Sequence, residues 1–197
     1  MDNSMAIFNA RVTVLDYETT GTVNGFPNEP WQIGMVTLER GKIAADSQFE
    51  SWLKIDPNRP FNPHAPGRHA AIRDELAAAP TPLELWPRIS PFLTQFPLCA
   101  HNVATEKKFT RAMAPMHQFG TWIDTLKIAR TAWPGCPSYA LEDLIVMLDL
   151  KERVDALCPG REAHDALYDA IASAALLEHL LAQPGWGDIT VGELAVM

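Results

Sequence analysis

The chain has 197 residues, 47% hydrophobic and 20% charged, with 24 acids against 16 Lys and Arg for a net charge of -8. That size suits one well-buried α/β domain, and the acidic balance excludes a protein that grips nucleic acid by bulk positive charge. The N-terminus lacks the basic and apolar regions of a secretory signal, and no apolar run could span a bilayer. Cys99, Cys136 and Cys158 share no C-x-x-C spacing, so the expectation is a cytoplasmic protein without membrane partner, disulfide framework or zinc site.

In chain order, residues 11–16 (RVTVLD) read as a first strand, β-branched and alternating. Residues 21–30 (GTVNGFPNEP) are a turn-rich connection. Residues 31–39 and 43–55 read as second and third strands, joined as a hairpin through Arg40-Gly41-Lys42. A Pro-rich stretch over 57–66 precedes helices at 69–78 and 83–95, the second with Leu85, Ile89, Phe92 and Leu93 at helical spacing. Residues 98–101 form a short strand feeding a helix at 103–113. Trp122-Ile123 is another strand, and Asp124 opens a helix through 132. An amphipathic helix over 140–148 and a long helix over 165–182 complete the chain, with a short tail from Pro184. Three strands followed by alternating helices and strands predict an α/β fold with a mixed sheet.

Acids gather where strands end or helices turn inward. Asp16 and Glu18 are two residues apart, so they share a face if the first strand runs through them. Adjacent carboxylates repel unless a cation sits between them, and Mg²⁺ or Mn²⁺ suits such an oxygen site. Glu106 shares a helix face with the apolar Phe109 and Met113. Lys107, Lys108 and Arg111 lie on other faces, either as a solvated surface or as phosphate contacts. His164 is five residues before Asp169, which places it at a helix mouth with Asp165 as N-cap and Asp169 facing inward. Asp124 is open to two readings, a helix N-cap or a direct catalytic role.

This set resembles the DEDDh exonucleases, the DnaQ-like family of polymerase proofreading subunits, RNase T-like enzymes and oligoribonucleases. The matching segments are Asp16-x-Glu18-Thr-Thr-Gly, His101-Asn102 with Glu106, Asp124-Thr-Leu, and His164-x-x-x-x-Asp169, within residues 11–182. The histidine variant is indicated, because Asp165 stands where the tyrosine variant carries Tyr. The chain departs from the family at Glu106, where Asp is usual, and at Thr105, where Phe is usual.

The resemblance implies a ribonuclease H-like fold, three antiparallel strands then parallel ones flanked by helices, over a domain at 1–183 with a C-terminal tail at 184–197. It implies a metal-dependent 3′–5′ exonuclease that releases nucleoside 5′-monophosphates from single-stranded DNA or RNA, with the choice between the two open. Two Mg²⁺ or Mn²⁺ ions would be bridged by Asp16, with Glu18 and Asp169 completing the first site and Glu106 supporting the second. His164 would be the general base, a task suited to a side chain whose unperturbed pKa is about 6.5. Thr19, Thr20, His69 and Asn102 would bind substrate, the threonines through their backbone at the 3′-hydroxyl. Phe26, Trp31 and His69 are candidate base-stacking platforms, whereas Trp52, Trp86, Trp122 and Trp133 suit the core. Two alternatives stand beside this reading: an RNase T- or oligoribonuclease-like processor of small RNA, and an impaired nucleic-acid-binding domain, motivated by Glu106. The expected partner is a nucleic-acid 3′ end. Homodimerisation is common in the family, and the tail is too short for a polymerase-docking segment.

Overall fold

A computed structural model describes residues 3–197, except the side chain of Ala70; residues 1 and 2, where the expected domain begins, lie outside the described residues. Strands β1 (Arg11–Thr19), β2 (Pro30–Glu39) and β3 (Lys42–Trp52) form an antiparallel meander. β2 and β3 are joined by Arg40 and Gly41, both at positive φ (53° and 69°), the tight hairpin turn that matches strand twist. β4 (Leu98–Ala100) and β5 (Trp122–Asp124) continue the sheet in parallel, giving the order β3-β2-β1-β4-β5. The expected mixed sheet, antiparallel then parallel, is the one formed.

Alternation along β1 divides the core into two layers. Val12 and Val14 pack with Val36 and Leu38 under the long helix α7 (Ala166–Leu181). Leu15 and Tyr17 point the other way, with Ile33 and Met35, toward α2 (Pro82–Gln95) and α3 (Ala104–Met113). α7 is buried almost all round its circumference, the mark of a central helix, and each of its fully buried Leu or Ile side chains contributes about 2 kcal/mol. Around it stand α4 (Thr125–Ala132), α5 (Leu141–Met147) and α6 (Lys151–Leu157).

Three features differ from expectation. The helix expected over 69–78 is a 3-10 turn at His69–Ala71 followed by a short α1 (Arg73–Ala78). Helix α6 forms where no element was expected, with Val154 buried as its anchor. The stretch over 184–197 is more than a tail: it carries α8 (Val191–Val196), closed by a reciprocal Thr190–Glu193 capping box. Val191 and Leu194 are buried in the main core with Ile7, and the Ile7 N–H donates to the Ile189 carbonyl at 2.9 Å.

Candidate active site

β1 continues in register through Glu18, so Asp16 and Glu18 project from the same face as Val12 and Val14, toward α7. The opposite partner of Asp16 is Gly34 on β2. A Cβ at Gly34 would lie 2.2 Å from the backbone of Ala166 and Leu167, so only glycine admits the start of α7 at this point. The Ala166 N–H donates to Gln32 Oε1 (3.2 Å), and Asp165 caps the helix by accepting from Leu167 and Tyr168 N–H (3.1 and 3.3 Å). Gly34 and Gln32 therefore dock the mouth of α7 against the acidic end of β1. The sequence signal for Gly34 is a lone glycine between Ile33 and Met35 in the middle of a mostly apolar strand.

Asp169 sits one turn into α7, and its Oδ2 accepts the backbone N–H of His164 at 3.1 Å. His164 itself has φ of 67°, in the left-handed region that few residues with a Cβ adopt. One ligand atom each from Glu18, His164 and Asp169 lies within 4.8 Å of the others. The His164 ring is half exposed, with Nε2 3.9 Å from Glu142.

Glu106 enters from the first turn of α3, after β4 ends. It is 4% exposed, and its Oε2 has no hydrogen-bond partner. Asp124 takes the capping geometry: Oδ1 accepts from Leu126 N–H (3.1 Å) and from Asn102 N–H (3.0 Å). That second bond holds Asn102, at φ of 68°, in the turn between β4 and α3. His101 is structural, its ring joined to Thr125 Oγ1 (3.0 Å) and the Tyr139 carbonyl (2.9 Å).

The electrostatics centre on Asp16. Burial and then the charges of Asp169, Glu106 and Glu18 hold its carboxyl well above the usual range. Burial, with Asp169 and Asp165 adding to it, pushes Glu18 up to about 8. Burial raises Glu106 to about 7, and the neighbouring Asp124 adds to this. Asp169 rises to about 6, mainly by burial, held back by the His164 N–H. Among the described residues, no Lys or Arg pairs with any of these four acids.

The expected substrate residues scatter. Thr19 is at the mouth, and its carbonyl accepts the Trp31 indole N–H at 3.1 Å. Thr20 is buried, with its N–H bonded to the Glu29 carbonyl and its own carbonyl accepting from Asn62, so its backbone is already engaged. Trp31 (1% exposed) is no stacking platform: it packs on Trp52 and His69 beneath the Thr19 backbone. His69 (8% exposed) is likewise buried, stacked on Phe61 and bonded to the Ala65 carbonyl at 3.2 Å. Of the three aromatics considered for stacking, Phe26 alone is open, with Arg59 behind its ring. Lys107 and Lys108 lie over Trp122 and Phe109. A cavity of about 420 Å³ opens beside His164, walled by Gly67, Arg68 and Arg161. Arg161 was not singled out from the sequence.

The exonuclease family profile (RNase T) matches residues 13–177. Exodeoxyribonuclease 10 of Escherichia coli K12 is 28% identical over 173 residues, spanning 88% of this chain and 70% of that protein. The structure of exonuclease X in complex with 5′ overhanging duplex DNA superposes with a TM-score of 0.68 at 28% identity, covering 94% of this chain and 98% of that one. The zinc-bound complex of E. coli exonuclease I with single-stranded DNA shares the fold at 19% identity, with a TM-score of 0.63 over 91% of this chain and 42% of that one. Among the described residues, no helix is long and apolar enough to cross a membrane.

Proposed function

This chain belongs to the exonuclease family and is a 3′–5′ exonuclease; from that premise we propose that it removes nucleotides one at a time from single-stranded 3′ ends of DNA, using a pair of Mg²⁺ or Mn²⁺ ions. The observation that carries this reading is the convergence of Asp16, Glu18, Glu106 and Asp169 on one point with no cationic side chain to neutralise them. DNA is preferred to RNA because the 28%-identical relative is named an exodeoxyribonuclease and the 28%-identical structure holds DNA. Enzymes of this family typically depend on divalent metal, and the residues present fit one. The donors are hard carboxylate oxygens, Glu106 Oε2 is buried without a partner, and burial raises the pKa of all four acids.

In this reading Asp16, at the centre of the group, would hold the cations together with Glu18 and Asp169 on one side and Glu106 on the other. A divalent cation bound here supplies positive charge to the phosphodiester and lowers the pKa of the attacking water. His164 takes the proton from that water at a ring nitrogen. Its backbone bond to Asp169 ties the base to that acid, and its half-exposed ring is open to solvent. Thr19, at the end of β1, is placed to meet the terminal nucleotide. The inward, unpartnered Glu106 favours a working second site over an impaired binding domain.

The test is a set of 5′-labelled DNA and RNA oligonucleotides incubated with Mg²⁺, Mn²⁺ or EDTA. A one-nucleotide ladder from the 3′ end, faster on DNA and absent in EDTA, is expected. Internal cleavage, or activity that survives EDTA, overturns the reading, and faster degradation of RNA moves the substrate to RNA.

A further inference from the structure

The loop from Gly160 to Asp165 carries His164 in a backbone conformation that its own residues do not favour. Contacts within the loop and to the rest of the fold hold it, the Asp169 carboxylate on the His164 N–H among them. On one side Gly67 packs against it, where a Cβ would lie 3.1 Å from the His164 carbonyl oxygen. On the other, Arg161 Nη1 donates to both Oδ1 and Oδ2 of Asp165 at 2.9 Å. The same guanidinium reaches Glu50 of β3 with both Nη atoms, at 2.5 Å each. Arg161 is thus a fork joining the edge of the sheet to the N-cap carboxylate of α7, and Asp165 precedes Ala166 where α7 touches Gly34.

We infer that Arg161 is a positioning residue: by clamping Glu50 to Asp165 it fixes the loop that presents His164 to the attacking water. A direct phosphate contact fits the geometry less well. The donors of Arg161 are spent on two carboxylates, which outweigh its charge, whereas Arg68 across the cavity has a side chain 60% exposed and one weak partner, Asp165 at 3.4 Å. Lysine cannot replace the fork, because a single ammonium lacks the planar geometry that serves both carboxylates at once.

The inference rests on His164 as the base, and a double-mutant cycle separates the two ideas. Single-turnover rates and KM are measured on a labelled DNA oligonucleotide with Mg²⁺, well below the melting temperature, for Arg161→Ala, His164→Ala and the double variant. Arg161→Ala lowers the rate by about 10–100-fold with KM unchanged, the range for residues that orient a functional group. His164→Ala lowers it by about 10²–10⁴-fold. The double variant matches His164→Ala, because Arg161 has nothing left to position. Arg161→Lys recovers only part of the loss. Where Arg161→Ala does not fold, Glu50→Gln carries the same cycle, since it cuts the anchor on β3 and leaves the Arg161–Asp165 pair in place. Losses that multiply in the double variant overturn the inference while the base assignment stands. A raised KM with an unchanged rate makes Arg161 a substrate contact and overturns it too. A wild-type rate for His164→Ala removes the base assignment and the inference together.

Discussion

Beside the N-cap Asp165, which Arg161 pairs, two sets of carboxylates buried along α7 are treated in opposite ways. Glu178, near the C-terminal end of the helix, is 5% exposed and fully provided for. It accepts from Arg153 (2.8 Å), from Lys42 (3.0 Å) and from the backbone N–H of Ile43 (3.1 Å). At the other end Asp16, Glu18, Glu106 and Asp169 converge without a Lys or Arg among them. The same chain can evidently supply cations to a buried acid where the fold needs one. Where it withholds them, the repulsion left behind is a cost that the rest of the core offsets, and in the proposed reading a bound cation would supply the missing charge.

The widest gap between the two places should open on removing one charge from each. Asp16→Asn is expected to lower hydrolysis by at least about 10³-fold, as removal of the acid proposed to hold both ions. The same change relieves repulsion, so the metal-free variant should melt at or above the wild-type temperature. A variant that kept wild-type rates would end the assignment of Asp16. Asp169→Ala is expected to lose activity in the same way with the fold intact.

The stability of the two ends should also diverge with pH. The Glu18 carboxyl titrates near 4.5 in an unfolded chain and at about 8 in the folded, metal-free one. Between those values the folded state binds more protons than the unfolded state, so stability falls as pH rises through that window. Glu106, at about 7, and Asp169, at about 6, add to the fall in the lower part of it. Melting in EDTA should lose on the order of 3 kcal/mol between about pH 5 and pH 8, and saturating Mg²⁺ should restore most of it at the upper end. A flat profile in EDTA would mean that burial does not hold these carboxyls above their unfolded pKa values.

Gly34→Ala tests how the two halves of the site are brought together. Its methyl has no room against the Ala166–Leu167 backbone, so α7 must move off β2. A loss of about 3 kcal/mol is expected from overpacking, with activity falling further than the folded fraction, because Asp169 is displaced from Asp16. Full activity at wild-type stability would show that the helix start is free to shift. At the neutralised end, Glu178→Gln should cost about 2 kcal/mol, the worth of a charge-assisted bond. That loss should not respond to Mg²⁺, and the rate per folded molecule should stay unchanged. Rescue by Mg²⁺ would erase the distinction between the two ends.

Much of this was legible in the residues. The two-residue spacing of Asp16 and Glu18 fixed their common face once β1 ran through them, and the five-residue step from His164 to Asp169 placed one at the mouth of α7 and the other inside it. Helices with a clear apolar stripe, such as α2 and α3, were readable for the same reason. What stayed hidden depended on distant partners. Nothing local says that Trp31 turns under the Thr19 backbone, that His69 stacks inward on Phe61, or that Arg161 reaches across to Glu50. Helix α8 is a different case, since its Thr190-x-x-Glu193 capping signature is local and stands in the sequence itself.

The smallest expected effect is the most specific, and it is that of Glu106→Asp. The side chain is inside the acidic group, with Oε2 unpartnered and Asp124 close enough to raise its pKa. It is also one methylene longer than the aspartate that the resemblance leads one to expect at this position. Glu106→Ala should nearly remove activity, like the loss of Asp16. Glu106→Asp keeps the charge and shortens the reach, so the rate should hold or rise, by no more than about tenfold. If Asp, Ala and wild type all run at one rate, Glu106 is not a working acid of the site, and its buried, unpartnered oxygen needs another explanation. If Asp falls as far as Ala, the helix stands too far back for the shorter side chain, and the extra methylene is what lets this chain reach its second ion.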